Sequence, residues 1–341
     1  MGTNKKIASL EFARIIAMLA IVGLHCQMAL SYWLWDDVPW VGYILNQMSR
    51  FAVPLFFLIS GYLIQLKLST NPIGTVKRYS KPLIRIWVVW SVICLLVPFQ
   101  WQTVSNAGYL AERQGYWGYL MQSPINSLLE GGLVHLWFLP ALVMAVALIA
   151  CLVRVRLPQL LLPIALLLYV YGALAGSYST LTELPSPFFT RNGPFFSSLL
   201  VVLGYLIREK QWLWSHNSAL RMIILGMGLH FAEAYWLTQH DVVFNSHDCL
   251  FGTVIWSLGI FMWLLARPNF GNMPWVLKWS PNILGIYVSH LLMIIVMMNV
   301  AGILGLQDLA KDVFIYSTTI IATLLLVKGI DASPLRKLLL R

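Results

Sequence analysis

The chain has 341 residues, of which 59% are hydrophobic and 11% charged, with a mean hydropathy of +0.74. That balance excludes a water-soluble globular protein, in which charged residues make up about a quarter of the chain. A net charge of +10 would suggest nucleic acid in a soluble domain, but here the cations fall between apolar runs, where they set topology, so nucleic-acid binding is not supported.

Apolar runs near the span of about 20 residues needed to cross a bilayer fall at 7–30, 42–66, 82–99, 136–153, 157–174, 194–208, 219–238, 248–266, 280–300 and 313–331. They predict an all-α, polytopic integral membrane protein of about ten transmembrane helices, in one domain covering 1–341. Lys5 and Lys6 precede the first run, yet Cys26-Gln27-Met28-Ala29 at its end offers no small-x-small cleavage site, so the expectation is an uncleaved first helix. The Gly23-Leu24-His25-Cys26 context only loosely matches a lipobox, and lipidation is discounted. Cys26, Cys94, Cys151 and Cys249 show no C-x-x-C spacing, which argues against disulfides and structural zinc.

Taking the N-terminus as cytoplasmic, eighteen cations, from Lys5 and Lys6 to Arg341, lie on inner segments, against three, Arg113, Arg191 and Lys311, on outer ones. By the positive-inside rule ten spans then place both termini in the cytoplasm. The longest outer connection is expected at about 100–135, and Trp33, Trp35, Trp40, Trp212 and Trp214 sit at span ends as an interfacial belt. No tandem repeat, low-complexity tract or coiled-coil heptad interrupts the chain.

Within the first span, Arg14 and His25 share a stripe: eleven residues at 100° each turn through 1100°, about 20° past three whole turns. They stand roughly 16 Å apart along the axis, so only a ligand or other side chains can join them. An arginine at membrane depth belongs in the protein interior or a wet cavity, unless it snorkels to the headgroups. Glu11, three residues earlier, is placed to neutralise it. His25 is the best candidate for a base or nucleophile, because a neutral imidazole accepts a proton near physiological pH.

Further along, Lys77, Arg78, Lys81 and Arg85 surround the cytoplasmic mouth of the third span, either as a phosphate-attracting cluster or as a topology anchor. Arg50 enters the second span at a depth that matches His25, and is placed to orient it, to stabilise an oxyanion, or to pair with Asp36 or Asp37. His230 and Glu233 are neighbours on one face of the seventh span, either functional or satisfied by each other. His135 and Arg191 lie at outer helix ends as acceptor-site or capping residues, and His290 has the position of a buried structural histidine. No Ser-x-x-Lys, Gly-x-Ser-x-Gly, Walker or His-Glu-x-x-His motif points to a hydrolase, ATPase or metalloprotease. At this level an enzyme and a transporter, in which Arg14, His25 and Glu233 line a path or proton relay, both stay open. A purely structural membrane protein leaves Arg14 unexplained.

Arg14, ten intervening residues and His25 resemble the Arg-x10-His signature of the acyltransferase-3 family of bacterial membrane O-acyltransferases. Four more stretches are similar to segments of that family in the same order: Ser49-Arg50-Phe51-Ala52-Val53-Pro54-Leu55 running on to Leu63, His135-Leu136-Trp137-Phe138-Leu139, Arg191-Asn192-Gly193-Pro194-Phe195-Phe196, and Gly285-Ile286-Tyr287-Val288-Ser289-His290. The resemblance implies transfer of an acetyl or short acyl group from cytoplasmic acetyl-CoA, or another acyl-CoA, to a hydroxyl of a cell-surface glycan or its lipid-linked sugar precursor. It implies a lipid bilayer setting at the bacterial inner membrane and no metal. His25 would be base or acyl carrier, with Arg14 and Arg50 beside the chemistry. Arg14, Arg85, Lys81 and Arg78 would face the donor, and His135, Arg191, Glu233 and His230 the acceptor. Where the family often has Arg-x-x-Arg, this chain has Pro82 three residues before Arg85 and Lys81 four before it.

Overall fold

The computed structural model describes residues 7–340, and Lys5, Lys6 and Arg341, three of the cations used for topology, lie outside them. The described residues are helix and connecting loop, with only an isolated antiparallel bridge between Trp35 and Val38. In chain order the helices are α1 (Ala8–His25), α2 (Trp40–Met48), α3 (Ala52–Thr70), α4 (Pro72–Leu96), α5 (Trp101–Ala107), α6 (Tyr109–Met121), α7 (Pro124–Glu130), α8 (Phe138–Arg154) and α9 (Leu161–Leu174). There follow α10 (Ser179–Thr182), α11 (Pro194–Lys210), α12 (His216–Thr238), α13 (Phe251–Ala266), α14 (Pro274–Trp279), α15 (Ile283–Ile303), α16 (Asp308–Asp331) and α17 (Arg336–Leu339).

Among the described residues, six stretches are long and apolar enough to cross a membrane: Ala8–His25, Trp40–Thr70, Pro72–Leu96, Val134–Arg154, Pro274–Ile303 and Asp308–Asp331. This is a multi-pass membrane protein. The other four expected segments are helical too, those of Pro158–Leu174 and Phe251–Ala266 being apolar but shorter. Two expectations change in detail. The first helix stops at His25 rather than residue 30, because Gln27 and Ala29 adopt left-handed backbone, at φ 50° and 56°, which no helix continues. Asp312 holds that turn by accepting from the Ala29 amide and the Tyr32 hydroxyl, both at 2.6 Å. The connection expected near 100–135 folds into the three short helices α5, α6 and α7.

α3 is the hub: α1, α4, α8, α11 and α13 all pack on it, and its side chains are buried on nearly every side. Lipid tails are as apolar as leucine, so helices in a bilayer associate through close backbone packing rather than hydrophobic burial. Gly61 of α3 and Gly204 of α11 supply it here. A Cβ on Gly61 would meet the Val201 carbonyl, and one on Gly204 the Leu58 carbonyl.

The segment of α5 to α7 is anchored by a buried ion pair. The Nη2 of Arg113 donates to Oε1 of Glu112 at 2.6 Å, and the same carboxylate accepts from the amides of Phe99 and Gln100 at 3.0 and 3.2 Å. The Arg113 guanidinium also sits 4.5 Å over the Phe99 ring. This knot fixes the approach to α7 and to the turn before α8, from which two residues of the site project.

Gly61→Val should lower the thermal midpoint in detergent, by overpacking that costs about 1–3 kcal/mol. Gly302→Ala, with nothing within 4 Å of the added methyl, should not. The hydrogen bond from Arg113 is the main cause holding the Glu112 carboxyl below its ordinary 4.5, ahead of the opposing effect of burial. A lowered carboxylate stabilises the fold above its unfolded pKa, and that contribution is lost as pH falls through the folded value. Glu112→Gln should therefore be less thermostable than the wild type at pH 7, and the gap should close as the pH drops below about 4.

Candidate active site

At the end of α1 the ring of His25 lies 5.3 Å from that of His290 on α15, and His290 lies 5.0 Å from His135, in the tight turn Val134–Trp137 ahead of α8. Hydrogen bonds define the tautomers of the last two. His135 donates through Nε2 to the carbonyl of Val288 at 3.0 Å, and His290 through Nδ1 to the carbonyl of Tyr287 at 2.5 Å. A carbonyl only accepts, so the neutral rings are left with lone pairs on His135 Nδ1 and His290 Nε2. Both atoms are buried without a partner. His25 makes no hydrogen bond to any described residue. Tyr287 closes the group by donating its hydroxyl to the His135 carbonyl. Three imidazoles with free acceptor nitrogens form an arrangement that can take up and pass on a proton.

Beside the imidazoles runs a chain of alternating charge. Arg50, in the break between α2 and α3, donates Nη1 to Oδ1 of Asp248 at 3.1 Å, Nη2 to the Asn245 carbonyl at 2.6 Å and Nε to Oδ1 of Asn46 at 3.1 Å. The other carboxylate oxygen of Asp248 accepts from Nη1 of Arg191 at 2.8 Å, whose Nη2 reaches Glu130 Oε1 at 2.8 Å. Glu130 Oε1 also accepts from Asn192 at 3.0 Å. His25 lies in the electrostatic field of Arg50, Arg191 and Asp248 as well as His290.

A cavity of about 670 Å³ enters the bundle from the other end of α1. Arg14, Lys67 and Arg78 stand among its lining, and Val53, Phe56, Leu63, Leu83, Phe138 and Leu142 make an apolar shaft between α1, α3, α4, α8 and α15. It stops at Ile21 and Tyr287, one helical turn short of His25. Its size lies within the range of about 300–1,000 Å³ typical of small-molecule pockets.

The profile of a family described as an acyltransferase domain matches residues 7–328. The chain belongs to the acyltransferase-3 family. It is also similar to a serine/alanine racemase of Enterococcus gallinarum, at 26% identity over 332 residues, covering 90% of this chain and 42% of that protein. An amino-acid racemase of Enterococcus faecalis is 24% identical over 281 residues, 78% of this chain and 37% of that protein. The chain thus spans less than half the length of these curated relatives. No solved structure matches it.

The residues expected in this acyltransferase-3 protein distribute unevenly. His25, Arg50, His135 and Arg191 come together at one end. Arg14 lines the cavity and holds Glu11 at 3.4 Å, the local neutralisation expected from their spacing. Arg78 lines the cavity, whereas Lys81 and Arg85 are exposed and stand outside its lining. His230 is buried with both nitrogens engaged, Nδ1 with the Thr253 hydroxyl and Nε2 with Gln47 Oε1, each at 2.8 Å. Glu233 accepts from the Gly252 amide at 3.0 Å and so caps the start of α13. Neither lines the cavity, and their polar groups are spent on tertiary structure. Sequence reasoning missed His290, Asp248, Glu130 and Lys67. His290 was signalled by the Gly285-Ile286-Tyr287-Val288-Ser289-His290 stretch but has the composition of a core position. Asp248 had no signal beyond being an acid between two spans.

Asp248→Ala should lower the thermal midpoint, because it leaves Arg50 without a carboxylate and Arg191 with Glu130 alone. The double variant Asp248→Ala/Arg191→Ala should recover part of the loss, with a coupling of about 1–2 kcal/mol, reduced from buried-pair values by partial solvent access. Strictly additive losses would show that the chain is not a unit.

Proposed function

We propose that this protein is a membrane O-acyltransferase that moves an acetyl or other short acyl group from cytoplasmic acetyl-CoA, or another acyl-CoA, to a hydroxyl of a cell-surface polysaccharide or its lipid-linked precursor, at the bacterial inner membrane. The resemblance of its motif stretches to the enterobacterial common antigen O-acetyltransferase supports an acceptor of that kind. The observation that carries the reading is the cavity, with cations at one end, an apolar shaft, and its inner end one turn from a free imidazole.

The orientation we propose has ten spans and both termini in the cytoplasm, as the distribution of eighteen inner and three outer cations favours. Arg14, Lys67 and Arg78 then face the cytosol, where donor phosphates are drawn by their fixed charge. Arg85 and Lys81, on the exposed flank of the same helix, add to that field rather than touch the shaft. The apolar shaft suits the uncharged arm that carries the thioester.

In the reaction His25 takes the proton of the acceptor hydroxyl. The hydroxyl oxygen bonds to the thioester carbonyl carbon, the carbon–sulfur bond breaks, and the departing thiolate receives the proton. Arg50 and Arg191 stabilise the oxyanion that develops in between. His290 positions His25, and its free nitrogen gives the proton a second resting place. The racemase activities of the Enterococcus relatives are not carried over, because the shared stretch is less than half of either protein.

His25→Ala should reduce acetyl incorporation from labelled acetyl-CoA by at least about 10²-fold, the usual worth of a general base, while the protein accumulates normally in the membrane. Arg14→Ala should weaken acetyl-CoA binding in detergent. Activity retained in His25→Ala overturns the assignment. Solute flux through proteoliposomes lacking any acyl donor would favour a transporter in its place.

A further inference from the structure

A second cavity, of about 540 Å³, lies at the end of the bundle that carries His25, between the segments at 175–191 and 242–248. Where the first cavity is an apolar shaft, this one is walled by hydrogen-bonding groups, among them Asn126, Ser177, Ser246 and His247. Arg191 and Asp248, the middle of the ion chain, form part of the same wall. The cavity therefore shares with the site the two ion-chain residues whose charge acts on His25, and it has no lining residue in common with the donor shaft.

Three features describe its occupant. Charge is the first: the cations Arg50 and Arg191 are matched by the anions Asp248 and Glu130, so a ligand of either sign would have to compete with a closed ion chain. Unmet hydrogen bonding is the second. His247 is 1% exposed, and at most one of its ring nitrogens has a partner, the Ala234 carbonyl. The Nε of Arg191 is also buried without one. Each such group is destabilising until something hydroxyl-rich completes it. Burial lowers the His247 pKa to about 4, so at neutral pH its ring offers one donor and one acceptor. The third feature is an apolar platform. Phe189 lines the cavity, half of its surface is exposed, and the Arg191 guanidinium steadies its ring from 4.9 Å. A flat ring beside donors and acceptors matches a molecule with one C–H face and an edge of hydroxyls.

We propose that this cavity is the acceptor pocket and that it takes an uncharged sugar ring, seated on Phe189 and hydrogen-bonded by His247, with one hydroxyl beside Asp248 and Arg191. This rests on the acyltransferase reading above for the use made of the site, though the binding itself does not. Anionic sugars are disfavoured because no unpaired cation awaits them.

The test is saturation-transfer NMR on the purified full chain in detergent, with no acyl donor, using glucose and N-acetylglucosamine as neutral probes and glucuronic acid as their anionic counterpart. The neutral sugars should bind and glucuronic acid should not. His247→Ala and Phe189→Ala should each weaken neutral-sugar binding about tenfold, the scale of one lost interaction with a buried group. Phe189 is exposed, so its variant reports on the pocket even if His247→Ala fails to fold. Absence of neutral-sugar binding to the wild type, binding unchanged in Phe189→Ala, or a preference for glucuronic acid would overturn the proposal. Sugar binding without acetyl incorporation in any assay would remove the acyltransferase reading and leave the pocket. Incorporation into an acceptor glycan that both variants leave unchanged would do the reverse.

Discussion

The ion chain Arg50–Asp248–Arg191–Glu130 is the constraint on which the site depends. A guanidinium near membrane depth cannot lose its proton and is costly unless its charge is answered, and Asp248 answers two at once. Each link joins segments far apart in the chain: the break before α3, the end of α7, the loop ahead of α11 and the approach to α13. The chain thus sets the distance between those segments. His25, on a helix that ends among them, inherits its surroundings from that distance.

Helix packing makes room for the rest. Gly61 and Gly204 let α3 and α11 touch backbone to backbone. On the other side of α3, between α1, α4, α8 and α15, side chains rather than backbones meet, and the shaft opens there. Close approach on one flank and a cavity on the other are two results of the same choice of small and large residues.

Satisfaction of polar groups separates scaffold from site. His230, Glu233 and the Glu112–Arg113 pair are embedded in the protein with their hydrogen bonds made, and each ties one helix or segment to another. His135, His290 and His247 are just as buried but retain ring nitrogens that nothing in the protein meets. Buried polar atoms are nearly always paired, so the open nitrogens of His247, in the wall of the second cavity, stand out as groups that a ligand there can complete.

The sequence by itself determined what depends on local geometry and bulk composition. Membrane residence, the positions of the ten helical segments, the shared stripe of Arg14 and His25, and the Glu11–Arg14 contact all follow from hydropathy and the 3.6-residue period, which act within one helix. Membership of the acyltransferase-3 family was legible in the motifs. Only the tertiary structure decided which polar residues meet. Nothing in the spacing of His290 tells that it will pack against His25, or in that of Asp248 that it will bridge Arg50 and Arg191. His230 and Glu233, equally prominent in the sequence, are instead engaged in fastening α12 to α13. These outcomes depend on through-space pairing between residues up to about two hundred and sixty positions apart, and no periodicity along the chain encodes such a pairing.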